Sequence, residues 1–570
     1  MSSLILVLVG LAMMAAGYLL YSKFLGKRVY QLSDAYTTPA HTMEDGVDFV
    51  PTNKYVLWGH HFTSVAGAAP IIGPAVAVIW GWVPAFLWVT LGTVFFAGMH
   101  DLGALWASQR HRGQSIGTLS GRYIGARGRN LFLVVIFLLL LMVNTAFAVV
   151  ISNLLISTPT AVIPTWGAIV VALLIGQAIY RFNWNLPLVS VVGVAALYGL
   201  MILGDQFPLA LPETMLGIPD RGWWIIFLFA YAFVASLLPV WVLLQPRDYI
   251  NGLQLFVGLI ILYGSFFIVR PEVVAPSLRD AVPDGTPGIF PLLFVTIACG
   301  AISGFHGVVA SGTSSKQLDK ETDARFVGYF GAVGEGLLAL GTIVATTSGF
   351  KTLADWEEIY NEWNAGGVDA FIKGGGDLMN EGLGIPTSLS ATILATMAVL
   401  FAATTMDSGI RLQRLVVAEM AELAGVKLSG AVATIIAVGC ALGLTFSMGL
   451  DGSGGMLIWP LFGTTNQLMA GLTLSVVVII LTQLRRPTWP VLIPLVFVTA
   501  MSLWAAVLQV RTFLEAGNWL LLVLDAIIIC CAIWVIVEAF TAISKARKEP
   551  AVTWRDDETI PGELADARTS

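Results

Sequence analysis

The chain has 570 residues, of which 57% are hydrophobic and 12% charged, with a net charge of -6 and a mean hydropathy of +0.81. A soluble fold needs far more charge than this to cover its surface, so the composition excludes the soluble classes and points to a membrane. No basic stripe interleaved with aromatics is present, which speaks against a nucleic-acid partner.

Crossing the hydrocarbon takes about 20 mostly apolar residues. In chain order the stretches that qualify are 3-22, 63-81, 83-106, 131-157, 164-180, 186-204, 222-244, 251-269, 289-311, 326-349, 388-408, 429-449, 456-482, 488-510 and 519-541. They predict an all-α polytopic membrane protein of about 15 transmembrane helices. Starting the second near Tyr55 draws His60 and His61 into it. The first runs from Leu4 to Leu20 and is followed by Lys23, Lys27 and Arg28. A secretory leader carries its charge first, so this reads as a retained helix. The four cysteines, Cys299, Cys440, Cys530 and Cys531, fall inside apolar runs without CxxC spacing, so neither a disulfide framework nor a zinc ribbon is expected.

Lys and Arg favour the cytoplasmic side. With the N-terminus outside, only Arg221, Arg270, Arg279, Lys351, Lys373 and Arg511 of the 30 Lys and Arg face outward. This bias predicts an external N-terminus and a cytoplasmic C-terminus, and it puts Arg247 in a cytoplasmic connection. The longest outer loop, 350-387, is acidic. Trp80, Trp82, Trp88, Trp223 and Trp224 sit near outer span ends, where lipid anchoring accounts for them. The whole reads as one transmembrane domain, 1-541, with a cytoplasmic tail, 542-570.

Two spans are interrupted by small residues and proline: Ser64-Val65-Ala66-Gly67-Ala68-Ala69-Pro70-Ile71-Ile72-Gly73-Pro74 and Cys299-Gly300-Ala301-Ile302-Ser303-Gly304-Phe305-His306-Gly307. A broken helix in a bilayer exposes carbonyls that suit a cation and a half-helix N-terminus that suits an anion. Tight helix packing is the plainer use of one such stretch. Two of them in opposite directions, each followed by spans of matching parity, fit an inverted repeat. The first repeat is 55-204 and the second 289-482, with 3-22, the inserted 222-269 and 488-541 as extra helices.

Ionisable groups at membrane depth mark function. Asp407 stands with the hydroxyls of Thr404, Thr405 and Ser408 near the cytoplasmic end of its span. That set suits a sodium ion, or the carboxylate alone a proton, or Asp407 pairs with Arg411 or Arg414. Glu335 lies deeper. His60 and His61 adjoin the first interruption, His100 and Asp101 end the next span, and His306 lies in the second interruption. Adjacent histidines point about 100° apart on a helix, so His60, His61 and His100 are a weak metal set and no bound metal is expected. Proton handling is the sharper reading of the histidines. Asn466 and Gln467 fall mid-span, where they glue helices or line a cavity.

These stretches resemble the carbon starvation A family of bacterial peptide and pyruvate transporters. The matching residues are Gly59-His60-His61-Phe62 with Ser64 to Pro74; Trp80-Gly81-Trp82; His100-Asp101; Gln245-Pro246-Arg247-Asp248-Tyr249; Ser303-Gly304-Phe305-His306; Ser311-Gly312-Thr313 with Ser315-Lys316-Gln317; Asp323-Ala324-Arg325; Gly328-Tyr329 with Glu335; Asp407 with Arg411 and Arg414; and Trp459-Pro460-Leu461-Phe462-Gly463 with Asn466-Gln467. The resemblance implies a leucine-transporter-like 5+5 inverted repeat of the APC superfamily in the bacterial inner membrane. It implies uptake of peptides or pyruvate, with protons. It assigns no role to single residues.

The expected mechanism is alternating access, with lipid around the protein and a small-molecule substrate between the helices broken near Gly67 and Gly304. Gly67, Ala68, Gly73, Ser303, Gly304, His306, Asn466 and Gln467 are the candidate substrate-facing residues. Glu335, Asp407, Thr404, Thr405, Ser408, His60, His61 and Asp101 are the candidate coupling residues. No cofactor is expected beyond a coupling proton, or sodium in the alternative. A channel is a further alternative. The remote rival is an intramembrane aspartyl protease, because Gly374-Gly375-Gly376-Asp377 with Asp407 mimics a paired-aspartate site. Oligomeric state is left open.

Overall fold

Backbone amides and carbonyls cannot go unpaired in hydrocarbon, so an apolar chain of this length resolves into helices. A computed structural model describes residues 2–363 and 366–552. Among the described residues the one sheet is a two-stranded hairpin, Thr214–Met215 against Ile218–Pro219. Among the described residues twelve helices are long and apolar enough to cross a membrane, and thirteen if the bent pair Lys54–Ala66 and Ala69–Trp80 counts as one span. The tail expected over 542-570 is helical as far as Lys548, and its residues 553–570 lie outside the described residues.

The count falls short of fifteen at two places. The stretch 429-449 yields only Gly430–Thr445, a helix of 16 residues. The stretch 289-311 splits into Ile289–Thr296 and Gly304–Gly312, with no helix between them. Gly300 takes φ +90° in that gap, a backbone setting that side chains resist.

Two other boundaries move, and one changes the chemistry. The helix expected over 222-244 stops at Leu237, just before Pro239, which cannot continue it. The next helix then begins at Leu244 rather than 251. Arg247 is therefore not in a cytoplasmic connection; it is buried in the first turn of Leu244–Val269. The helix expected over 388-408 runs on as Thr387–Leu423, 37 residues. The acidic segment 350-387 is not a plain loop, since it contains helices Leu353–Ile359 and Gly367–Leu383.

Position in the bundle follows burial. The apolar window of Trp459–Gln483 is 100% buried, whereas that of Leu186–Gln206 is 28% buried, so the first is the axis of the bundle and the second faces lipid. Lys54–Ala66 packs on Leu244–Val269 and Thr387–Leu423; Gly304–Gly312 packs on Trp459–Gln483 and Gly98–Gln109.

Glycine is what lets the two interruptions meet. A Cβ placed on Gly73 would strike the Thr296 carbonyl oxygen and come 3.2 Å from the Ile297 Cα; one on Gly300 would lie 3.7 Å from the Pro70 Cα. The two breaks are therefore in direct contact. At Gly304 an added Cβ would collide with the backbone of Asn466 and Ala470, atoms with no freedom to swing away. Gly304→Val should destabilise the fold by about 3 kcal/mol, the upper end of overpacking costs. Gly199→Val, at a position open for 4 Å around, should stay within about 0.5 kcal/mol. Unfolding midpoints of the two purified variants check the contrast.

Candidate functional site at the two interrupted helices

Breaking a helix frees backbone groups, and each break here is answered by side chains. The first half-helix ends at Ala66, where Gly67 takes φ +58°. Its loose carbonyls at Thr63 and Ser64 accept hydrogen bonds from Thr404 Oγ1 (2.8 Å) and Thr405 Oγ1 (3.0 Å). In the second break, Thr93 Oγ1 donates to the Gly300 carbonyl (2.9 Å) and Trp88 Nε1 to that of Ile297 (3.1 Å). Asn466 caps the following half-helix: its Oδ1 accepts from Phe305 N (2.9 Å) and Ser303 Oγ (3.1 Å), and its amide donates to Cys299 Sγ (3.3 Å). Gln467 Nε2 donates to the Phe294 carbonyl (2.9 Å). Both amides thus bind the interrupted helix itself, and part of the half-helix N-terminus expected to meet a substrate carboxylate is taken by Asn466.

Two buried networks of charge flank these breaks. The first joins Lys54–Ala66, Leu244–Val269 and Thr387–Leu423. Asp248 Oδ2 lies 2.7 Å from His60 Nδ1 and accepts from Ser64 Oγ (3.2 Å), which also meets Ser408 Oγ at 2.8 Å. Arg247 donates to Asp248 Oδ1 (2.9 Å) and, through Nη1, to Asp407. Tyr231 Oη donates to Asp407 at 2.8 Å. Asp407 therefore pairs with neither Arg411 nor Arg414. Arg411 is spent on Asp48 and the Leu238 carbonyl, Arg414 on the Ser236 carbonyl. One guanidinium faces two carboxylates, and His60 is the remaining basic side chain of this buried set.

The second network centres on Asp101. Its Oδ1 lies 2.9 Å from His100 Nδ1, and its Oδ2 lies 2.9 Å from His306 Nδ1 and 3.9 Å from His61 Nε2. His306 Nε2 faces Glu335 Oε2 at 3.1 Å. His61 Nδ1 meets Ser314 Oγ at 2.9 Å. His60 and His61, neighbours in sequence, thus serve different networks, and His60, His61 and His100 do not converge on one point. Among the described residues the group whose donor atoms do lie within 4.8 Å of one another is Cys299, His306 and Glu335.

A cavity of about 610 Å³ reaches both breaks, with Ala69 and Val76 on one and Thr296 and Cys299 on the other, and Trp459 and Gln509 opposite. None of Gly67, Ala68, Gly73, Ser303, Gly304, His306, Asn466 and Gln467 is on its wall; the lining passes through their neighbours. Asp377 is exposed on Gly367–Leu383 while Asp407 is buried on Arg247, so the paired-aspartate arrangement does not form. Four participants escaped the sequence reading. Arg247 and Asp248 are adjacent opposite charges between apolar runs, a pattern that in sequence looks like a connection. Cys299 heads the second interruption and was read only as a non-disulfide thiol. Tyr231 gave no signal within its apolar run.

At the end of the bundle away from the 350–387 segment, Arg110 clasps Glu321 at 2.6 Å and Arg411 clasps Asp48 at 2.8 Å. Burial pushes the Asp48 carboxyl up, but Arg411 foremost, with Lys316 behind it, outweighs burial and holds it below its ordinary value.

A family model described as carbon starvation protein CstA matches residues 2–351 and 349–505. A curated protein of Bacillus subtilis (strain 168) named peptide transporter CstA is 30% identical, over 99% of this chain and 100% of its own length. The pyruvate/proton symporter BtsT of Escherichia coli (strain K12) is 28% identical, over 88% of this chain and 81% of its own. The crystal structure of a manganese transporter mutant from Eremococcus coleocola superimposes with a TM-score of 0.42 at 13% identity, covering 88% of this chain and 99% of that one, too loose a likeness to carry an argument.

Removing one member of a buried ion pair strands its partner. Arg247→Met should cost about 3–5 kcal/mol, and adding Asp407→Leu should recover part of that loss; a double-mutant cycle on unfolding midpoints measures it. The lowered Asp48 pKa means its contact is fully present at neutral pH and is lost as pH falls through the carboxylate range, because the unfolded chain takes up the proton first. The gap in thermal midpoint between wild type and Asp48→Asn should therefore close between about pH 7 and about pH 3.

Proposed function

Because the chain belongs to the carbon starvation protein CstA family, we propose that it is a proton-coupled secondary transporter that carries a small carboxylate-bearing solute, a peptide or pyruvate, by alternating access. The observation that carries this reading is the meeting of two interrupted helices beside a cavity whose wall includes both breaks. A rigid helix has no point at which to flex. A broken one has a hinge whose free groups are already satisfied by neighbours, so each half can tilt without exposing backbone to lipid.

The repeat units in this reading are 55-204 and 289-482, arranged in the leucine-transporter manner, with Asp220–Leu237 and Leu244–Val269 inserted between them. Substrate enters the cavity from the side of the 350–387 segment, which is the cell exterior, since Trp363 of that segment lies on the cavity wall. The Arg110–Glu321 and Asp48–Arg411 clasps close the cytoplasmic side.

Coupling runs through the Arg247 network. With His60 protonated, its charges balance: Arg247 and His60 against Asp248 and Asp407. Loss of that proton leaves a net negative charge buried beside the first hinge, which low dielectric penalises heavily. Loading and unloading one proton therefore biases the position of Lys54–Ala66 relative to Thr387–Leu423. Sodium is the weaker choice, because the Thr404 and Thr405 hydroxyls and the Thr63 and Ser64 carbonyls already satisfy one another. The name of the Escherichia coli relative, a pyruvate/proton symporter, agrees with protons.

The test is uptake into proteoliposomes of labelled pyruvate and a labelled dipeptide under separately imposed proton and sodium gradients. At least one solute should accumulate above its external concentration with an inward proton gradient alone, and a protonophore should abolish this. Asp407→Asn should lose accumulation yet retain solute exchange across the membrane. Accumulation driven by sodium alone, or left intact in Asp407→Asn, sinks the coupling assignment.

A further inference from the structure

Asp101 and Glu335 are both fully buried, and the ion-pair partners of both are histidines alone. The Arg247 network has a permanent cation; this one has none among those partners. Burying two carboxylates without a fixed positive charge is costly, and something mobile has to supply it.

The geometry at Glu335 suits a metal better than another hydrogen bond. His306 Nε2 and Glu335 Oε2 are 3.1 Å apart, yet both Glu335 oxygens and His306 Nε2 are buried without a well-aligned hydrogen bond, the Gly300 amide and Cys299 lying near them. Cys299 Sγ completes a set of three donor atoms within 4.8 Å of one another. Around a tetrahedral ion such atoms sit about 3.3–3.6 Å apart, so closing on one requires only a small side-chain movement. The other ring nitrogen of His306 is held by Asp101 at 2.9 Å. That is the carboxylate–histidine pairing that fixes a metal-binding imidazole in its neutral, donating form.

We propose that Cys299, His306 and Glu335 form a binding site for a thiophilic divalent transition-metal ion such as Zn²⁺, with the fourth position open toward the cavity. One thiol sulfur, one imidazole nitrogen and one carboxylate oxygen suit Zn²⁺ or Co²⁺. Ca²⁺ and Mg²⁺ need six or more oxygens and are excluded. Binding forms a metal–sulfur bond and releases the Cys299 proton to solvent through the cavity that Cys299 lines. The ligands lie on three segments: Cys299 in the break, His306 in the half-helix after it, and Glu335 on Gly331–Ser348. A bound ion therefore pins the second hinge. The site stands independently of the transport reading, because it is measured as binding to the resting protein.

The probe is Co²⁺, titrated into the purified full-length chain in detergent with Cys440→Ser, Cys530→Ser and Cys531→Ser, so that Cys299 is the one thiol. One equivalent should produce a thiolate-to-cobalt charge-transfer band in the near ultraviolet, with visible bands of tetrahedral intensity, both bleached by Zn²⁺. Cys299→Ser should abolish the charge-transfer band. Asp101→Asn, which removes the charge that orients His306, should weaken Co²⁺ binding about 10–100-fold while keeping the spectrum. A second measurement needs no change at the ligands: Zn²⁺ should slow maleimide modification of Cys299, followed by mass. The proposal is overturned by absence of the charge-transfer band, by its survival in Cys299→Ser, or by modification that is equal, or nil, with and without Zn²⁺.

Discussion

Inside a bilayer a helix can be interrupted only where protein supplies partners for every backbone group the interruption frees. The architecture follows from how this chain meets that demand twice. Thr404 and Thr405 reach across from Thr387–Leu423 to the carbonyls of the first break. Trp88 and Thr93 answer the carbonyls of the second, and Asn466 its amide end. The first break is therefore stitched to one continuous helix and the second to two others, Trp82–Gln109 and Trp459–Gln483, and the glycines at 73 and 300 let the two broken segments touch without side chains between them. The cavity is the space left beside that contact.

Charge is distributed around the breaks with the same economy, but the two networks differ in kind. Arg247 is a fixed cation and cannot lose its charge in any protein setting. The first network therefore keeps one permanent positive charge. The Asp101 network contains only histidines as counter-charges, so its balance depends on what arrives from outside. Two electrostatic designs thus meet one half-helix at successive residues, His60 and His61, and the difference between them comes down to whether an arginine is present.

Much of this was legible before any coordinates. Gly67, Pro70, Gly300 and Gly304 announce the interruptions, because small residues and proline in an apolar run have few other uses there. The opposite directions of the two stretches follow from counting spans. Asp407, Glu335 and the histidines stand out because hydrocarbon tolerates so few ionisable groups. What escaped was pairing. Pairing with Arg411 or Arg414, near neighbours in sequence, was one of three readings of Asp407 beside a sodium ion and a proton; those arginines are held by Asp48 and by the Leu238 and Ser236 carbonyls, and the partner comes from a helix 160 residues away in sequence. Arg247 was misplaced because a charged residue between two apolar runs looks like a connection; only its two carboxylate partners make burial affordable. The cavity wall passes through Ala69, Val76, Cys299 and Gly463 rather than through the expected residues, since the residues that hold a break together face the neighbouring helix and leave the opening to others nearby.

His60 and His61 occupy successive positions and yet answer to different carboxylates, Asp248 and Asp101. On an α-helix one step turns a side chain through about 100°. Insertion or deletion of a single residue between Gly59 and the kink would rotate both rings away from their acids at once, and no substitution elsewhere could restore both. Drift in this segment is thereby confined to exchange of one residue for another. Across distant descendants of this chain the spacing from the histidine pair to the kink should keep its length even where most of the surrounding letters have changed.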